Sequence, residues 1–418
     1  GWWKRSSNSI EEDEDDADNY GEISMITAKN NSLPSFSRLS ILGISGCPKL
    51  SSMPLFPYLE MLDLDKSNLR LLERTISMGM ISTVSQENPT AAAVAESTSS
   101  APSSSSILAA SFTPLSKLKS LGIGMIEGSN DHFLQHFTAL EVLSLYNYNG
   151  DEMELEWQGL RKLQRLRLYD HPKLASLPVG LQQATSLRNL HIWNCPSLTT
   201  LPEWICEIIS LQSLYIFDCP NLTSLPALTS LKTLEIRHCP NLTSLPALTS
   251  LKTLEIRRLY NYNGDGMELE WQGLRKLQYL RLFDHPKLAS LPATSLRKLE
   301  ISNCLSLTTL PEWICEIISL QSLRIWECPN LTSLPALTSL KKLDIQSCPI
   351  LVESCKSQDW LAHIENLRGD LAPPKEEDPV GNVETSSNSR GGWGNQWGFC
   401  NMLEPDSEFS ATLTSLDR

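Results

Sequence analysis

Positive charge is scarce in this chain. It carries 35 lysines and arginines against 48 aspartates and glutamates, a formal net charge of −13. That balance argues against a protein that grips a nucleic-acid backbone on a broad basic surface. No apolar run reaches the roughly 18 residues a membrane span needs. The phosphate-cradling phrase Gly-x-x-x-x-Gly-Lys-Ser/Thr is missing, as is the Cys-x-x-Cys spacing of zinc sites. No nucleophile, base and orienting group can be matched either. His132, His136, His191, His238 and His363 are scattered, and carboxylates pair only in linker-like stretches. We therefore expect no enzyme, no cofactor and no metal. The chain opens Gly1-Trp2-Trp3-Lys4-Arg5, without Met or an apolar leader. The expectation is no signal peptide in this chain and further sequence upstream.

What the chain has in quantity is one phrase, Leu-x-x-Leu-x-Leu/Ile, often followed two residues later by Cys. Leu187-Arg-Asn-Leu190-His-Ile192-Trp-Asn-Cys195 is one case, and the phrase returns at Leu211, Leu231, Leu296, Leu320 and Leu340. Variants begin at Leu39, Leu59, Leu118, Leu140, Leu163, Leu251 and Leu277, which makes thirteen candidate strands, 19 to 26 residues apart from Leu118 onward. Length alone would suggest two or three domains, but a repeat array grows by adding units to one continuous core. The spacing is that of leucine-rich repeats. The expected fold is an α/β solenoid: a leucine-rich-repeat horseshoe with a parallel concave β-sheet and short helices or turns on the convex side. In a strand, alternate side chains face opposite ways, so Leu190 and Ile192 point into the core while Asn189, His191 and Trp193 point out. Thirteen strands about 4.8 Å apart line an arc of very roughly 60 Å, a surface for a protein and not a pocket for a metabolite.

The array contains its own copies. Tyr146–Pro178 reappears almost unchanged as Tyr260–Pro292, and Ser186–Ile236 as Ser295–Ile345 without the Val179–Gln183 segment; Cys219–Arg237 recurs in tandem as Cys239–Arg257. The longer units carry Pro202-Glu-Trp204-Ile205-Cys-Glu-Ile208-Ile209, and again Pro311 to Ile318. An opening proline and apolar residues at i, i+1, i+4 and i+5 predict a short convex-side helix. Pro226-Ala-Leu228-Thr in the shorter units leaves room only for a turn.

The outward strand positions carry the chemistry. In the nine units from Leu163 to Leu340, the third, fifth and seventh residues make 27 positions. Eight are basic (Arg165, Arg167, Arg237, Arg257, Arg281, Lys298, Arg324, Lys342), four acidic (Glu235, Glu255, Glu300, Asp344) and seven aromatic (Tyr169, Trp193, Tyr215, Phe217, Tyr279, Phe283, Trp326). Aromatics are 7% of the chain, so this face is enriched several-fold, and it is net positive on a net negative chain. Exposed aromatics beside arginine are interface anchors. The competing account is that the rings stack on one another and only stabilise the sheet.

Cys47, Cys195, Cys219, Cys239, Cys304, Cys328 and Cys348 hold the ninth place of their units, and His171 and His285 hold it in two others. A small buried side chain there caps the turn after the strand. A Cys/His zinc site is the sharper alternative, and a stacked ladder without paired cysteines speaks against it. The sequons at Asn221, Asn241 and Asn330 fall inside a structural phrase and read as turn asparagines, relevant to glycan only in a secreted chain.

Cys219-Pro220-Asn221-Leu222 followed by Leu225-Pro226 resembles the plant nucleotide-binding leucine-rich-repeat resistance proteins of the coiled-coil class. So do Gly1-Trp2-Trp3 ahead of an acidic linker, the stretch Leu33-Pro34-Ser35-Phe36 to Phe56-Pro57, and the ending Cys348-Pro349, Cys355, Asp359-Trp360, His363-Ile364. The resemblance covers residues 33–77 and 114–366. It implies the sensing end of a cytoplasmic immune receptor. The partners it implies are a pathogen effector or a guarded host protein, or the receptor's own nucleotide-binding domain if that lies upstream; nucleic acid and a membrane span are not expected. Thirteen outward residues are the implied contact set: Arg165, Arg167, Tyr169, Trp193, Tyr215, Phe217, Arg237, Arg257, Tyr279, Arg281, Phe283, Arg324 and Trp326. No coiled-coil or nucleotide-binding domain has a counterpart here, so nucleotide binding does not carry over. A substrate-recognition subunit of a ubiquitin ligase and an extracellular inhibitor or receptor ectodomain are rival readings of the same repeats.

Composition shifts divide the chain. Residues 1–32 form an acidic linker with Glu11, Glu12, Asp13, Glu14, Asp15, Asp16 and Asp18 in one run; 33–77 are leading repeats; 78–113 are an Ala/Ser/Pro insertion expected to be disordered; 114–366 are the main array with a cap that includes Trp360, Leu361 and Ile364; 367–418 are a tail expected to be mobile.

Overall fold

The structure, a computed structural model, describes residues 38–50, 53–84 apart from 55, 68 and 69, 115–124, 131–147, 157–242, 245–257, 273–284, 295–372 and 411–414. Each of the thirteen leucine phrases is a short strand. In chain order they are β1 (Ile41–Ser45), β2 (Met61–Asp65), β3 (Ser120–Gly124), β4 (Val142–Tyr146), β5 (Arg165–Tyr169), β6 (Asn189–Trp193), β7 (Ser213–Phe217), β8 (Thr233–Arg237), β9 (Thr253–Arg257), β10 (Tyr279–Phe283), β11 (Lys298–Ser302), β12 (Ser322–Trp326) and β13 (Lys342–Gln346). Two more, β14 (Asn366–Gly369) and β15 (Ala411–Thr414), sit at the two ends of the same sheet, beside β13 and β1. Every pairing is parallel and in register, so Leu166, Leu190, Leu214 and Leu234 form one row.

The core follows from the phrase. In the β6 unit, Leu187, Leu190, Ile192, Cys195 and Leu198 are all fully buried, and Leu201, Ile205 and Ile208 nearly so. One such leucine contributes on the order of 1.5–3 kcal/mol on leaving water, but only because the adjacent units close over it. Serine just before the strand-opening leucine ties units together. Ser210 donates to the Leu187 carbonyl at 2.7 Å, Ser230 to Leu211 at 3.0 Å, and Ser339 to Leu320 at 3.1 Å.

The eighth residue ends each strand. Gly46, Lys66, Asn147, Asp170, Asn194, Asp218, His238, Asp284, Asn303, Glu327 and Ser347 all hold that place with φ between 49° and 65°. This left-handed conformation costs L-residues energy and suits Asn, Asp and Gly. It turns the amide toward the next unit: Asn194 N–H donates to the Phe217 carbonyl at 2.9 Å, and Asp218 N–H to that of Arg237 at 2.9 Å.

The convex helix expected after Pro202 is a 3-10 turn, Glu203–Glu207, repeated at Glu312–Glu316. Ile205 N–H bonds to the Pro202 carbonyl and Ile208 N–H to that of Ile205. Ile205 and Ile208, three apart, are buried, Trp204 and Cys206 pack partly buried against the core, and Ile209 is 84% exposed; the spacing of the two buried isoleucines matches three residues per turn, not 3.6. At the far end, α2 (Pro349–Cys355) buries Leu351 and Cys355, and Ile364 is buried with Trp360 and Leu361 packed beside it.

Two boundaries differ from expectation. A helix, α1 (Arg70–Val84), runs past residue 77 into the stretch expected to be disordered, because Leu71, Leu72 and Ile76 bury at helical spacing and the Thr75 hydroxyl donates back to Leu71 at 2.7 Å. The stretch expected to be a tail supplies most of β14 and all of β15. The acidic linker 1–32, most of the insertion, His285, and the tail from 373 to 410 lie outside the described residues. No helix among the described residues is long and apolar enough to cross a membrane.

Candidate protein-recognition face

The third, fifth and seventh residues of each unit leave the core and line the concave side of the sheet. All thirteen contact candidates stand there, each half-buried. Register decides their neighbours. Across β5, β6 and β7, Arg165 sits beside Asn189 and then Ser213; Arg167 beside His191 and Tyr215; Tyr169 beside Trp193 and Phe217. The result is a three-by-three grid about 10 Å wide across the strands, basic at one corner and aromatic along the opposite edge.

The rings do stack. Tyr146, outside the thirteen candidates, lies parallel to Tyr169 at 5.2 Å. Tyr169 meets Trp193 edge-on at 5.9 Å, Trp193 meets Phe217 at 6.0 Å, and His191 stacks on Tyr215 at 4.2 Å. Such pairs add about 0.5–1.5 kcal/mol each beyond burial. Burial, and then the charges of Arg167 and Arg165, push the His191 pKa down to about 4, so the ring is neutral at pH 7. Tyr146 and His191 were legible as the seventh residue of the unit that begins at Leu140 and the fifth of the one that begins at Leu187.

Beyond β7 the face changes character. Arg237 pairs with Glu235 and, at 3.5 Å, with Glu255. Arg257 meets Glu255 at 2.6 Å, and Arg281 reaches Glu255 at 3.6 Å and Glu300 at 3.4 Å. Arg324 reaches Glu300 at 3.3 Å and Asp344 at 3.0 Å, while Lys298 holds Glu300 at 2.8 Å. The Tyr279 hydroxyl donates to the same carboxylate at 3.0 Å. The Glu300 side chain is only 5% exposed. Burial pushes its pKa up, but the Lys298 and Tyr279 hydrogen bonds and the charges of Lys298 and Arg324 outweigh that, and the carboxyl titrates below its ordinary value. The cationic excess counted along the strands is therefore largely neutralised from β8 to β13. Arg165 and Arg167 have no carboxylate within ion-pair distance among the described residues, and Arg167 Nε is shielded from solvent without a hydrogen-bond partner there.

The ninth-position side chains are structural. The thiols of Cys195, Cys219, Cys239, Cys304, Cys328 and Cys348 each donate to the carbonyl two residues earlier, at 3.2–3.5 Å. His171 in the same place bonds to the Leu145 carbonyl at 3.0 Å. Among the described residues no three His, Cys, Asp or Glu side chains converge as metal ligands. Two sequon asparagines are occupied by the turn: Asn221 donates to the Pro196 carbonyl at 2.8 Å and Asn330 to that of Leu305 at 2.6 Å. A shallow depression of about 300 Å³, lined by Glu141, Lys162, Gln164, Arg188 and neighbouring hydroxyls, lies at the strand-entry edge and does not overlap the grid.

A sequence profile described as a leucine-rich repeat region matches residues 117–367, more than half of the chain. The chain belongs to the leucine-rich-repeat family. No curated relative matches this leucine-rich-repeat chain. Among solved structures it is similar to the TLR13–ssRNA13 complex, at 18% identity and a TM-score of 0.47, covering 79% of this chain and 54% of that one. It thus spans about half of that longer chain. A leucine-rich-repeat protein of Leptospira interrogans is similar at 22% identity and a TM-score of 0.27, covering 60% of this chain and 90% of that one.

The leucine-rich-repeat array also records its own divergence. Between the two duplicated pairs of segments, nine of the eleven strand positions that face the concave side in both copies differ: Arg165/Tyr279, Tyr169/Phe283, Asn189/Lys298, His191/Glu300, Trp193/Ser302, Tyr215/Arg324, Phe217/Trp326, Thr233/Lys342 and Glu235/Asp344. Only Arg167/Arg281 and Ser213/Ser322 are unchanged there. The rest of the duplicated sequence supplies three differences, Glu152/Gly266, Pro196/Leu305 and Asp218/Glu327.

Proposed function

We propose that this leucine-rich-repeat chain is the recognition and autoinhibitory part of a cytoplasmic plant immune receptor of the coiled-coil nucleotide-binding class. Its concave face binds a pathogen effector, a guarded host protein, or the receptor's own nucleotide-binding domain. The observation that carries the recognition reading is the divergence of the duplicated segments: the scaffold is held and the concave side chains are exchanged. A face whose only task was to stabilise the sheet would change no faster than the turns that tie the units together. The plant-receptor assignment rests on the Cys-Pro-x-Leu phrases and the closing segment around Trp360.

Two measurements test it. In plant tissue, Trp193→Ser, Tyr215→Ser, Phe217→Ser and Trp326→Ser combined are expected to abolish the effector response or to release self-inhibition. An unchanged response with intact inhibition would show that the face is wrong. Extending the transcript 5′ of Gly1 is expected to reveal a Gly-x-x-x-x-Gly-Lys-Ser/Thr loop. An F-box there would move the function to ubiquitination, and a signal peptide would move it outside the cell.

A further inference from the structure

Arg167 and Arg281 occupy the same place in the two duplicated copies, the middle residue of β5 and of β10 and the fifth of their units. Their surroundings differ. Arg281 reaches Glu255 and Glu300, whereas Arg167 faces His191 across the ladder on one side and Ser144 on the other. Arg165, at the third position beside it, faces Val142 and Asn189. Two half-buried guanidinium groups thus stand together with neutral neighbours on both flanks, while every arginine on β8 to β12 is engaged by a carboxylate of its own face.

We propose that the β5–β7 grid binds an acidic segment of a protein partner, which sets carboxylates on Arg165 and Arg167 and an apolar or aromatic side chain on Tyr169, Trp193 and Phe217. The proposal rests on the concave-face recognition reading above and adds the chemistry of the partner. A guanidinium offers a planar fork that a carboxylate meets with two hydrogen bonds, and the gain is largest where the group is already partly desolvated. Nε of Arg167 and Nε of Arg281 are both shielded without a hydrogen-bond partner, but only Arg281 stands within 4 Å of carboxylates of its own face, which leaves Arg167 as the desolvated guanidinium open to a partner's carboxylate. His191 stays neutral at pH 7 for the reasons given, so the positive charge is that of the arginines alone. Third and seventh positions on one strand lie about 13 Å apart, the reach of a few residues of extended chain. A nucleic-acid backbone needs a longer row of cations than two arginines, and a chain of net charge −13 repels it.

The test selects random linear peptides by display on the full chain and titrates an enriched peptide by fluorescence anisotropy. The expected peptides combine Asp or Glu with a nearby aromatic residue. Their affinity is expected to fall at least about tenfold in Arg165→Gln/Arg167→Gln and to stay unchanged in Arg281→Gln. A graft tests the same point by gain. Glu255→Ser, Tyr279→Arg, Phe283→Tyr, Lys298→Asn, Glu300→His, Ser302→Trp, Arg324→Tyr and Trp326→Phe recreate the grid on β10–β12 and remove the carboxylate that β9 sets beside Arg281, and the number of bound peptides is expected to rise from one to two. Enriched peptides without acidic residues, lost in Trp193→Ser/Phe217→Ser but indifferent to the arginine pair, would overturn the acidic partner and leave the recognition reading standing. Peptides indifferent to every concave substitution, or no enrichment at all, would overturn both. Displacement of the peptide by single-stranded oligouridylate, steeply weakened by salt, would replace the protein partner with RNA.

Discussion

The stretch β5–β8 and its copy β10–β13 share nearly all their core and turn residues, apart from the convex segment Val179–Gln183 that the copy lacks, yet they use their concave faces differently. The first presents stacked rings and two arginines without carboxylates. The second turns the same positions into a lattice of ion pairs centred on Glu300. A parallel sheet with fixed register thus carries either an open or a self-satisfied surface on one scaffold. The choice is made by a few outward residues that contribute little to the leucine core.

The largest expected effect tests the lattice. Glu300→Ala leaves Lys298, Arg281 and Arg324 without their shared, almost fully buried carboxylate, and is expected to cost about 3 kcal/mol in urea unfolding. His191→Ala, at the matching position of the open copy, loses one ring stack and is expected to cost about 1 kcal/mol. Equal losses would erase the distinction between the copies.

Acid separates the copies more finely. His191 has a folded pKa of about 4 against an ordinary value of 6.5. The unfolded chain therefore binds its proton first, and stability falls as the pH drops from 6.5 toward 4. His191→Gln is expected to remove that loss, about 1 kcal/mol at pH 5 after allowing for solvent screening. Glu300 titrates below its ordinary value, so its contribution is complete above the unfolded carboxylate pKa of 4.5 and disappears as the pH falls through the lower folded one. Glu300→Gln is expected to flatten only this more acidic limb. Unfolding curves at stepped pH that show both variants flattening the same limb would contradict the assignment. The smallest effect lies at the eighth position, where Asp218 and Glu327 are the copies. Glu327→Asp is expected to raise stability by a few tenths of a kcal/mol, because the shorter side chain tolerates the left-handed turn better.

Much of the fold was legible because burial has a period. Leucines at the first, fourth and sixth places located all thirteen internal strands, and the ninth-place cysteines proved to be turn caps. β14 escaped because Ile364, Leu367 and Gly369 fill the same three places with glycine at the last, at φ 69°. The short convex helix was legible from its opening proline, but its 3-10 winding was not, because Ile205 and Ile208 bury while Ile209 does not, which composition along the segment does not reveal. The thirteen candidate residues share one face of the sheet, and which of them touch was not legible in the sequence. A count of eight cations against four anions says nothing about which ones touch, since Arg281 and Arg167 differ only in what the adjacent strands carry.

The left-handed eighth residue has a consequence for how this protein meets another molecule. At the eleven units where it is described it halts the strand at the same point, so the sheet lengthens with each added unit and does not widen there. The concave face is a ribbon three side chains across, and each unit writes one line on it. Whatever lies along that ribbon is read in sequence, line by line, and the number of distinguishable partners scales with the number of units engaged, not with the depth of any one site.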